Sequence, residues 1–276
     1  MSSYPFLKGH GTENDFVLLP DHDGTVHGDL SAQEMAQRVR ALCDRRAGIG
    51  GDGVLRVVRA QSPEAEWFMD YRNADGSLSE MCGNGIRLFA RYLVDEGLVD
   101  GSAPIPVDTR DGIKVLTVDR ELITVDLGTP KVLGEVEVRV GERVFEGFHV
   151  DMGNPHAVVS AADLADAGPL LESPEFDPHV FPDGVNVEFV QDFPGTDLHV
   201  AMRVFERGSG ETRSCGTGAG AVAVASALWH DSRREGDEAT YRVDVPGGTL
   251  TVTWTADDRV LLTGPAVIVA SGETEL

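Results

Sequence analysis

Two short segments of this sequence place a cysteine in the same local pattern. Residues 81–87 read MCGNGIR and residues 214–220 read SCGTGAG, so Cys82 and Cys215 each open a Cys-Gly-x-Gly turn. An apolar stretch with helical spacing follows each turn, at residues 86–96 and 219–229, which predicts that each cysteine stands at the start of a helix. The free N–H groups and partial positive charge of a helix N-terminus stabilise a thiolate and bind a carboxylate.

Two thiols of this kind are suited to acid–base chemistry on one carbon atom. An ordinary thiol has a pKa of about 8.5, and a helix terminus worth about 1 kcal/mol lowers that pKa by roughly one unit. Two neighbouring thiolates repel each other, so the favoured state is one thiolate and one thiol. A base and an acid on opposite faces of a carbon invert its configuration. An α-amino acid fits this chemistry because its carboxylate can lie on the helix N-termini and accept the developing charge.

The same cysteine pair also fits other classes of protein. Thiol-redox proteins use helix-start cysteines with a lowered pKa. An amino-acid-binding protein can use the same turns without any chemistry. A metal site is not predicted, because the sequence has no C-x-x-C motif and its eight histidines lack ligand spacing. These residues alone therefore do not decide between an epimerase, a redox protein and a binding protein.

The composition excludes several further classes. A net charge of −23 argues against nucleic acid and against anionic membrane surfaces as partners. The lysines Lys8, Lys114 and Lys131 lie in neither cysteine turn and in no Gly-Lys-Ser/Thr motif, which argues against a pyridoxal-phosphate enzyme and a Walker A loop. The low cysteine count, the N-terminus without a signal pattern and the lack of a long apolar stretch predict a cytoplasmic protein with free thiols.

The elements that must position the two turns repeat along the chain. Each turn follows a strand-like run and then a polar segment, NADGSLSE in one case and ERGSGETR in the other. The two cysteines lie 215 − 82 = 133 positions apart, about half the chain. This repeat predicts two similar α/β halves, residues 1–118 with Cys82 and residues 119–263 with Cys215.

Two other segments are predicted to be structural. Residues 31–43 form an amphipathic helical pattern with a Ser31/Glu34 capping box, and Cys43 lies on its apolar face as a small buried side chain. The GIGGDG segment at residues 48–53 matches G-x-G-x-x-G. It precedes a strand-like run instead of opening a helix, so we predict a tight turn and not a dinucleotide site.

These motifs make the sequence resemble the diaminopimelate epimerase family over nearly its whole length. NADGSLSEMCGNGIR and ERGSGETRSCGTGAGA match the two signature segments of that family, and GIGGDG, GNPHAV and GTENDF agree as well. The resemblance implies two pseudo-symmetric α/β domains of the α+β type, each a curled, mostly antiparallel sheet around a central helix. It also implies that the final strand, within residues 264–276, returns to the first domain.

The resemblance further implies what the protein does. The family converts LL-2,6-diaminopimelate to the meso form in lysine and peptidoglycan precursor synthesis, using two cysteines and neither a cofactor nor a metal. A cytoplasmic homodimer is expected on the same basis. Proline racemases and phenazine-pathway isomerases share the fold but lack the combination of ERGSGET and GNPH, so they are weaker matches.

Roles for individual residues also follow from the resemblance. Cys82 and Cys215 are expected to be the acid/base thiols, and His156 and Glu206 are expected to tune them. The carboxylate of the reacting centre is expected to bind four residues of the two turns: Gly83, Asn84, Gly216 and Thr217. The distal end of the substrate is expected to bind polar residues from both halves: Asn14, Asn73, Asn154, Asn186 and Arg207, with Glu206 counted among the substrate-binding set.

The sequence departs from the family pattern at two positions. Glu13 stands where the family usually has a glycine, just before Asn14. Gly53 stands where some members carry a glutamine. The first departure concerns the path of the Asn14 loop, and the second removes a side chain that other members can use for contact.

Overall fold

The computed structural model describes residues 3–193, 195, 198–234 and 236–276. These residues form the mixed α/β fold that the sequence predicts, dominated by strands. The α-helices are Ala32–Cys43 (α1), Gly83–Asp95 (α2) and Gly216–Trp229 (α3), with a short 3-10 helix at Leu164–Ala167. The strands are Tyr4–Gly11 (β1), Asn14–Pro20 (β2), Gly53–Arg59 (β3), Trp67–Asn73 (β4), Ile105–Thr109 (β5), Gly112–Asp119 (β6), Leu122–Asp126 (β7), Lys131–Val140 (β8), Arg143–Asp151 (β9), Pro155–Ser160 (β10), Glu175–Phe176 (β11), Asn186–Asp192 (β12), His199–Glu206 (β13), Gly210–Thr212 (β14), Ala239–Val245 (β15), Gly248–Trp254 (β16), Val260–Pro265 (β17) and Val267–Thr274 (β18).

The chain forms two compact units. The first contains the described residues up to Val125 together with Gly264–Leu276, and the second contains Asp126–Thr263. In the first unit the strands pair in the order β18-β1-β2-β3-β4-β5-β6-β7. The β2–β3 and β4–β5 pairs are parallel and the others are antiparallel.

Helix α2 is the central helix of the first unit. It packs against β1, β2, β3, β4 and β18. Its apolar residues Ile86, Leu88, Phe89 and Leu93 are fully buried. Gly97 follows the helix with a φ of 65°, and its N–H bonds the Val94 carbonyl at 3.0 Å, so glycine ends the helix as residues without a Cβ commonly do.

Helix α1 lies on the same unit and confirms the predicted capping box. The Ser31 hydroxyl accepts from the Glu34 N–H, and the Glu34 carboxylate accepts from the Ser31 N–H at 2.8 Å. The apolar face of α1, which includes Cys43, packs against Val17 and Val54 of the sheet. The predicted burial of Cys43 is therefore confirmed.

The second unit repeats this arrangement around α3. Its strands pair in the order β8-β9-β10-β12-β13-β15-β16-β17, with β11 on β8 and β14 on β13. Helix α3 packs against β9, β10, β12, β13, β15 and β16. Nearly all of its residues are buried, as expected for a helix that is apolar on every side.

Candidate active site

Both cysteines of the repeated motif cap a helix. Cys82 and Cys215 have extended backbone angles (φ −143° and −119°), and each Sγ accepts the N–H three residues later at 3.4 Å. The donors are Gly85 and Gly218. A thiol sulfur thus takes the place of the usual capping oxygen. The helices begin at Gly83 and Gly216, three residues before the apolar stretches from which they were predicted, because the motif glycines form their first turn.

Asn14 and Asn84 lie beside Cys82 in the first unit. The Oδ1 atom of Asn14 is 3.5 Å from Sγ of Cys82, and it accepts from Nδ2 of Asn84 at 3.2 Å. Asn14 starts β2 directly after the β1–β2 turn, and Asn84 lies in the first turn of α2. The structure therefore brings two of the predicted binding residues to the Cys82 thiol.

The GIGGDG turn orients the Asn14 side chain. Asp52 accepts from Nδ2 of Asn14 at 2.8 Å and from the Asp15 N–H at 3.2 Å. Asp52 in turn pairs with Arg45 at 2.6 Å. Because the amide nitrogen of Asn14 donates to Asp52, its oxygen must face Cys82. The turn feeds β3, as predicted, and its Asp52 is a positioning residue that the sequence analysis did not select.

Glu13 takes a left-handed conformation in the β1–β2 turn. Thr12 and Glu13 have φ values of 48° and 62°, and Gly11 pairs with Asn14, which defines a two-residue hairpin of the I′ type. The Glu13 N–H donates to Nδ1 of His10 at 3.2 Å. A positive φ explains why glycine suits this position, and the loop still delivers Asn14 to the end of the turn.

Asn73 is engaged in a turn of its own. Its Oδ1 atom accepts from the Tyr71 hydroxyl at 2.9 Å, and its Nδ2 atom donates to the Ser77 hydroxyl at 3.0 Å. Asn73 ends β4, at the start of the polar segment that leads to Cys82. These bonds shape the segment, and the binding role of Asn73 stays a prediction.

Cys215 lies in a more buried and more acidic setting than Cys82. Its side chain is buried, and its Sγ is 3.6 Å from Oγ1 of Thr217. Burial raises the pKa of the Cys215 thiol well above its ordinary value, and the nearby carboxylates Glu206 and Glu188 raise it further. The Thr217 hydroxyl and the Gly218 N–H act in the opposite direction but do not reverse the shift.

A chain of hydrogen bonds links His156 to the first turn of α3. Nδ1 of His156 is 2.7 Å from Oε1 of Glu188, and Nε2 is 3.0 Å from Oδ1 of Asn154. Nδ2 of Asn154 donates to Oγ1 of Thr217 at 3.4 Å. The parallel pairing of β10 with β12 places the histidine and the glutamate side by side. The second unit thus brings together His156, Asn154, Thr217 and Cys215, with Glu188 added.

Asn186, Glu206 and Arg207 lie together at the start of β12 and the end of β13. Oδ1 of Asn186 accepts from the Arg207 N–H at 3.0 Å, and its Nδ2 donates to the Pro155 carbonyl at 3.2 Å. The Arg207 side chain is exposed and reaches the Asp183 carbonyl at 3.2 Å. The Glu206 carboxylate accepts from the Thr212 hydroxyl. An exposed guanidinium next to ordered amides is suited to clamp a substrate carboxylate.

Glu188 and Arg87 are two buried charged residues close to the starts of α3 and α2 that the sequence analysis missed. Both side chains are fully buried. Glu188 interrupts the apolar run VNVEFV, and Arg87 stands in the apolar start of α2. A charge inside an apolar run is the signal that could have identified both, since charges are rarely buried without a partner.

The described part of the chain holds no candidate for a metal site or for a membrane-spanning helix. No group of three or more histidine, cysteine, aspartate or glutamate residues there has an arrangement that could hold a metal ion. Within the same residues, no helix has the length and apolar character needed to cross a membrane.

Comparison with solved structures defines the class of fold. A PhzF-family phenazine biosynthesis protein from Bacillus anthracis is 17% identical, with a TM-score of 0.74 over 100% of both chains. A hydroxyproline epimerase from Agrobacterium vitis is 16% identical, with a TM-score of 0.68 over 99% of this chain and 92% of the other. The chain therefore has the fold shared by PhzF-like proteins and amino-acid epimerases.

Comparison with known sequences identifies the family. A sequence model of diaminopimelate epimerase matches residues 6–133 and 148–269. The diaminopimelate epimerase of Streptomyces coelicolor is 54% identical over 97% of this chain and 94% of the relative. That of Corynebacterium glutamicum is 48% identical over 99% and 98%. The chain belongs to the diaminopimelate epimerase family, and it is an isomerase.

Proposed function

We propose that this chain converts LL-2,6-diaminopimelate to the meso form by a two-thiol mechanism, within lysine and peptidoglycan precursor synthesis. One observation carries the mechanism. In each unit the motif cysteine caps a helix, with its sulfur 3.4 Å from the N–H three residues on. Family membership supports diaminopimelate as the substrate. The matched capping geometry supports Cys82 and Cys215 as a pair in which one acts as the base and the other as the acid.

The proposed reaction balances with the two thiols alone. The ionised cysteine takes the α-proton and becomes a thiol, which leaves the electron pair on the α-carbon and its carboxylate. The second cysteine gives its proton to the opposite face of the same carbon and becomes the thiolate. No electrons leave the substrate, so the proposal invokes neither a cofactor nor a metal. The reverse reaction exchanges the two roles.

The helix N-termini supply the electrostatic part of catalysis. The substrate carboxylate becomes more negative as the proton leaves, and free N–H groups at a helix start stabilise that charge. We assign this role to the first turns of α2 and α3, where Gly83, Asn84, Gly216 and Thr217 lie. Glycines there leave the backbone N–H groups accessible.

The remaining polar residues are assigned to recognition and tuning. The exposed Arg207 guanidinium binds the distal carboxylate, and the amides orient the distal amino group. His156 is held by Glu188 at 2.7 Å and Glu206 bonds Thr212, and both glutamates disfavour ionisation of Cys215. The proposed recognition set is Asn14, Asn73, Asn154, Asn186, Glu206 and Arg207.

We further propose a homodimer in the cytoplasm. Family resemblance supports both statements.

A chirality assay tests the proposal. The purified, reduced chain is incubated with LL-diaminopimelate or with the meso form, and the isomers are separated over time. Both reactions should approach the same LL/meso ratio. L-proline and trans-4-hydroxy-L-proline serve as competing substrates and should stay unchanged. Inversion of proline without inversion of diaminopimelate would assign the chain to the proline-racemase type, and thiol–disulfide exchange without any inversion would favour a redox protein.

A further inference from the structure

The segment that joins β4 to α2 is held against the sheet close to Cys82. We call residues 74–81 the first approach segment, because they lead directly to that cysteine. The segment folds back on β4, and the Ser79 N–H donates to the Tyr71 carbonyl at 3.3 Å. Ser79 is three residues before Cys82. The backbone of the cysteine therefore starts from a point that this contact fixes.

Arg110 strengthens the contact from outside the segment. It lies in the two-residue turn between β5 and β6. Its Nη1 atom donates to the Tyr71 carbonyl at 2.9 Å and to the Ser79 carbonyl at 3.2 Å. One guanidinium nitrogen thus joins β4 to the first approach segment at the residue pair where the two meet.

The other nitrogen of the Arg110 fork is held by a buried carboxylate. Nη2 of Arg110 pairs with Asp70 on β4. Asp70 also lies 3.3 Å from Nε of Arg72 and 3.6 Å from Nη1 of Arg56. Cζ of Arg110 lies 5.5 Å from the centre of the Phe68 ring. Because the guanidinium is planar and rigid, the pair on Nη2 directs Nη1 toward the two carbonyl groups.

The second unit holds its own segment in a similar way. We call residues 207–214 the second approach segment, because they lead from β13 to Cys215 and include β14. Nη2 of Arg213 donates to the Pro246 carbonyl at 2.7 Å, and the Gly247 N–H donates to the Arg213 carbonyl at 2.9 Å. Pro246 and Gly247 form the turn between β15 and β16. Arg213 is two residues before Cys215, so this contact also lies next to the cysteine.

The two contacts join equivalent elements through arginines on opposite partners. The β5–β6 hairpin is the first one after α2, and the β15–β16 hairpin is the first one after α3. The arginine belongs to the hairpin turn in the first unit and to the approach segment in the second. At the spacing of 133 residues, Arg213 corresponds to Glu80 and not to an arginine. The same connection is therefore made by different residues, which indicates that holding the segment is what matters.

The tip of the first approach segment has a separate contact that serves as a comparison. Nη1 of Arg40, at the end of α1, donates to the Asp75 carbonyl at 2.9 Å. Asp75 is seven residues before Cys82. Loss of the Arg40 bond should loosen the tip of the segment, whereas loss of the Arg110 bonds should loosen the end next to the thiol.

We propose that Arg110 and Arg213 are positioning residues for the two thiols. Each holds the approach segment of its unit, so that the cysteine that follows lies where its sulfur can exchange a proton with the α-carbon. The inference rests on the two-thiol function proposed above. Neither arginine is assigned a contact with the substrate or a proton of its own to transfer. Displacement of a reacting group by about 1 Å can cost up to about 100-fold in rate, so a loosened segment should slow catalysis.

Hydrogen–deuterium exchange followed by mass spectrometry tests how firmly each segment is held. In Arg110→Gln we expect the amides of residues 77–81 to exchange about tenfold faster, with residues 207–214 unchanged. Arg213→Gln should give the reverse pattern. Unchanged exchange in both segments, or equally faster exchange across the whole of a unit, would overturn the proposal.

Initial epimerisation rates test whether the held segment matters for catalysis. We expect kcat of Arg110→Gln to fall about tenfold or more, at a temperature where its melting curve shows it folded. Arg40→Gln removes a guanidinium–carbonyl bond from the same segment and should keep kcat within about twofold. Equal kcat values in the two variants would overturn the role of Arg110.

Arg110→Lys separates the charge of the side chain from its geometry. A lysine ammonium can still pair with Asp70, but it lacks the fork that faces Asp70 and the two carbonyl groups together. We therefore expect this variant to recover unfolding free energy lost in Arg110→Gln without recovering kcat or slow exchange of residues 77–81. Recovery of stability, exchange and kcat together would give Arg110 a structural role only.

The two proposals fail in different ways. If the wild-type chain does not interconvert the diaminopimelate isomers, the proposed function fails, and the exchange pattern still shows whether the arginines hold the segments. If the wild type is active and Arg110→Gln and Arg213→Gln both keep its kcat, only the positioning role fails.

Discussion

Nδ1 of His156 lies 2.7 Å from Oε1 of Glu188, and both side chains are fully buried. Oε2 of Glu188 has no hydrogen-bond partner among the described residues. A Cβ built on Gly218 would lie 2.6 Å from Oε1 of Glu188 and 3.2 Å from Sγ of Cys215. The first turn of α3 therefore has glycine at this position because the carboxylate approaches it so closely.

Gly218→Ala should reduce both stability and activity. The added methyl group must displace the Glu188 carboxylate, and such overpacking costs about 1–3 kcal/mol of unfolding free energy. Alanine favours a helix over glycine by up to about 1 kcal/mol, so a net loss would show the clash. Gly85→Ala, at the matching position in α2, meets its nearest atoms at 3.3–3.5 Å and is the comparison variant. The loss of unfolding free energy, measured with denaturant, should be larger in Gly218→Ala than in Gly85→Ala, and equal losses would contradict this explanation. Initial epimerisation rates of Gly218→Ala should fall as well.

Cys82→Ser and Cys215→Ser should each remove most epimerisation, by about 100-fold or more, while the fold survives. A serine hydroxyl caps a helix as well as the sulfur does, so the helix start is kept, but it is far too weak an acid to ionise near neutral pH. Activity is measured by isomer separation and folding by the melting temperature. Cys43→Ala, at a buried cysteine outside the site, should keep activity. Loss in Cys43→Ala with activity retained in Cys82→Ser would reverse the assignment.

Deuterated water should label the product at one α-carbon only. The proton given to the substrate comes from a thiol that exchanges with solvent, and only one centre is inverted. The meso product is analysed at low conversion, before the reverse reaction can label the second centre. Mass spectrometry should then find one deuterium per molecule, and the single α-proton NMR signal that the two mirror-related centres share should fall by half. Two deuterium atoms per molecule at low conversion, or inversion without any label, would be incompatible with inversion by two thiols at one centre.

Protonation of His27 should destabilise the fold in mildly acidic solution. Burial lowers the pKa of His27 to about 4, while an unfolded histidine has a pKa near 6.5. The unfolded chain therefore binds more protons between these values, so this contribution is complete above about pH 6.5 and is lost as the pH falls toward 4. We expect a loss on the order of 2 kcal/mol between pH 7 and pH 4.5.

The His27 contribution is isolated by difference. Unfolding free energies of the wild type and His27→Gln are compared at both pH values, and the pH-dependent loss should be smaller in the variant. His179→Gln, at an exposed histidine, is the control and should follow the wild type. An identical pH dependence in all three proteins would contradict the prediction.

Local patterns in the sequence predict the helix starts and the cysteine caps, because these depend on neighbouring residues. The partners of the buried charges depend on strand register instead. Glu188 meets His156 because β10 pairs in parallel with β12, placing His156 opposite Asn186. No spacing in the sequence indicates this pairing. The sequence likewise does not indicate that Arg87, a residue of a signature segment, is buried among neutral hydrogen-bond acceptors.

Glu13 also shows that the sequence alone does not give the conformation of a loop. Sequence comparison marks the missing glycine but not its consequence for the Asn14 loop. The structure places both Thr12 and Glu13 at positive φ, so the hairpin keeps its two-residue length. A non-glycine residue in the left-handed region costs of order 1 kcal/mol, which the surrounding strand pairs and the bond to His10 can offset.

Pairing between β1 and β18 has a consequence for synthesis of the chain. Tyr4 lies opposite Thr274, so the first unit closes through a contact that spans 274 − 4 = 270 positions. The second unit draws all its strands from Asp126–Thr263. During synthesis on the ribosome, all strands of the second unit are therefore made before the first unit has its last strand. Until β18 emerges, one edge of β1 has no strand partner. Such a delay is the point at which a nascent chain most needs protection from aggregation.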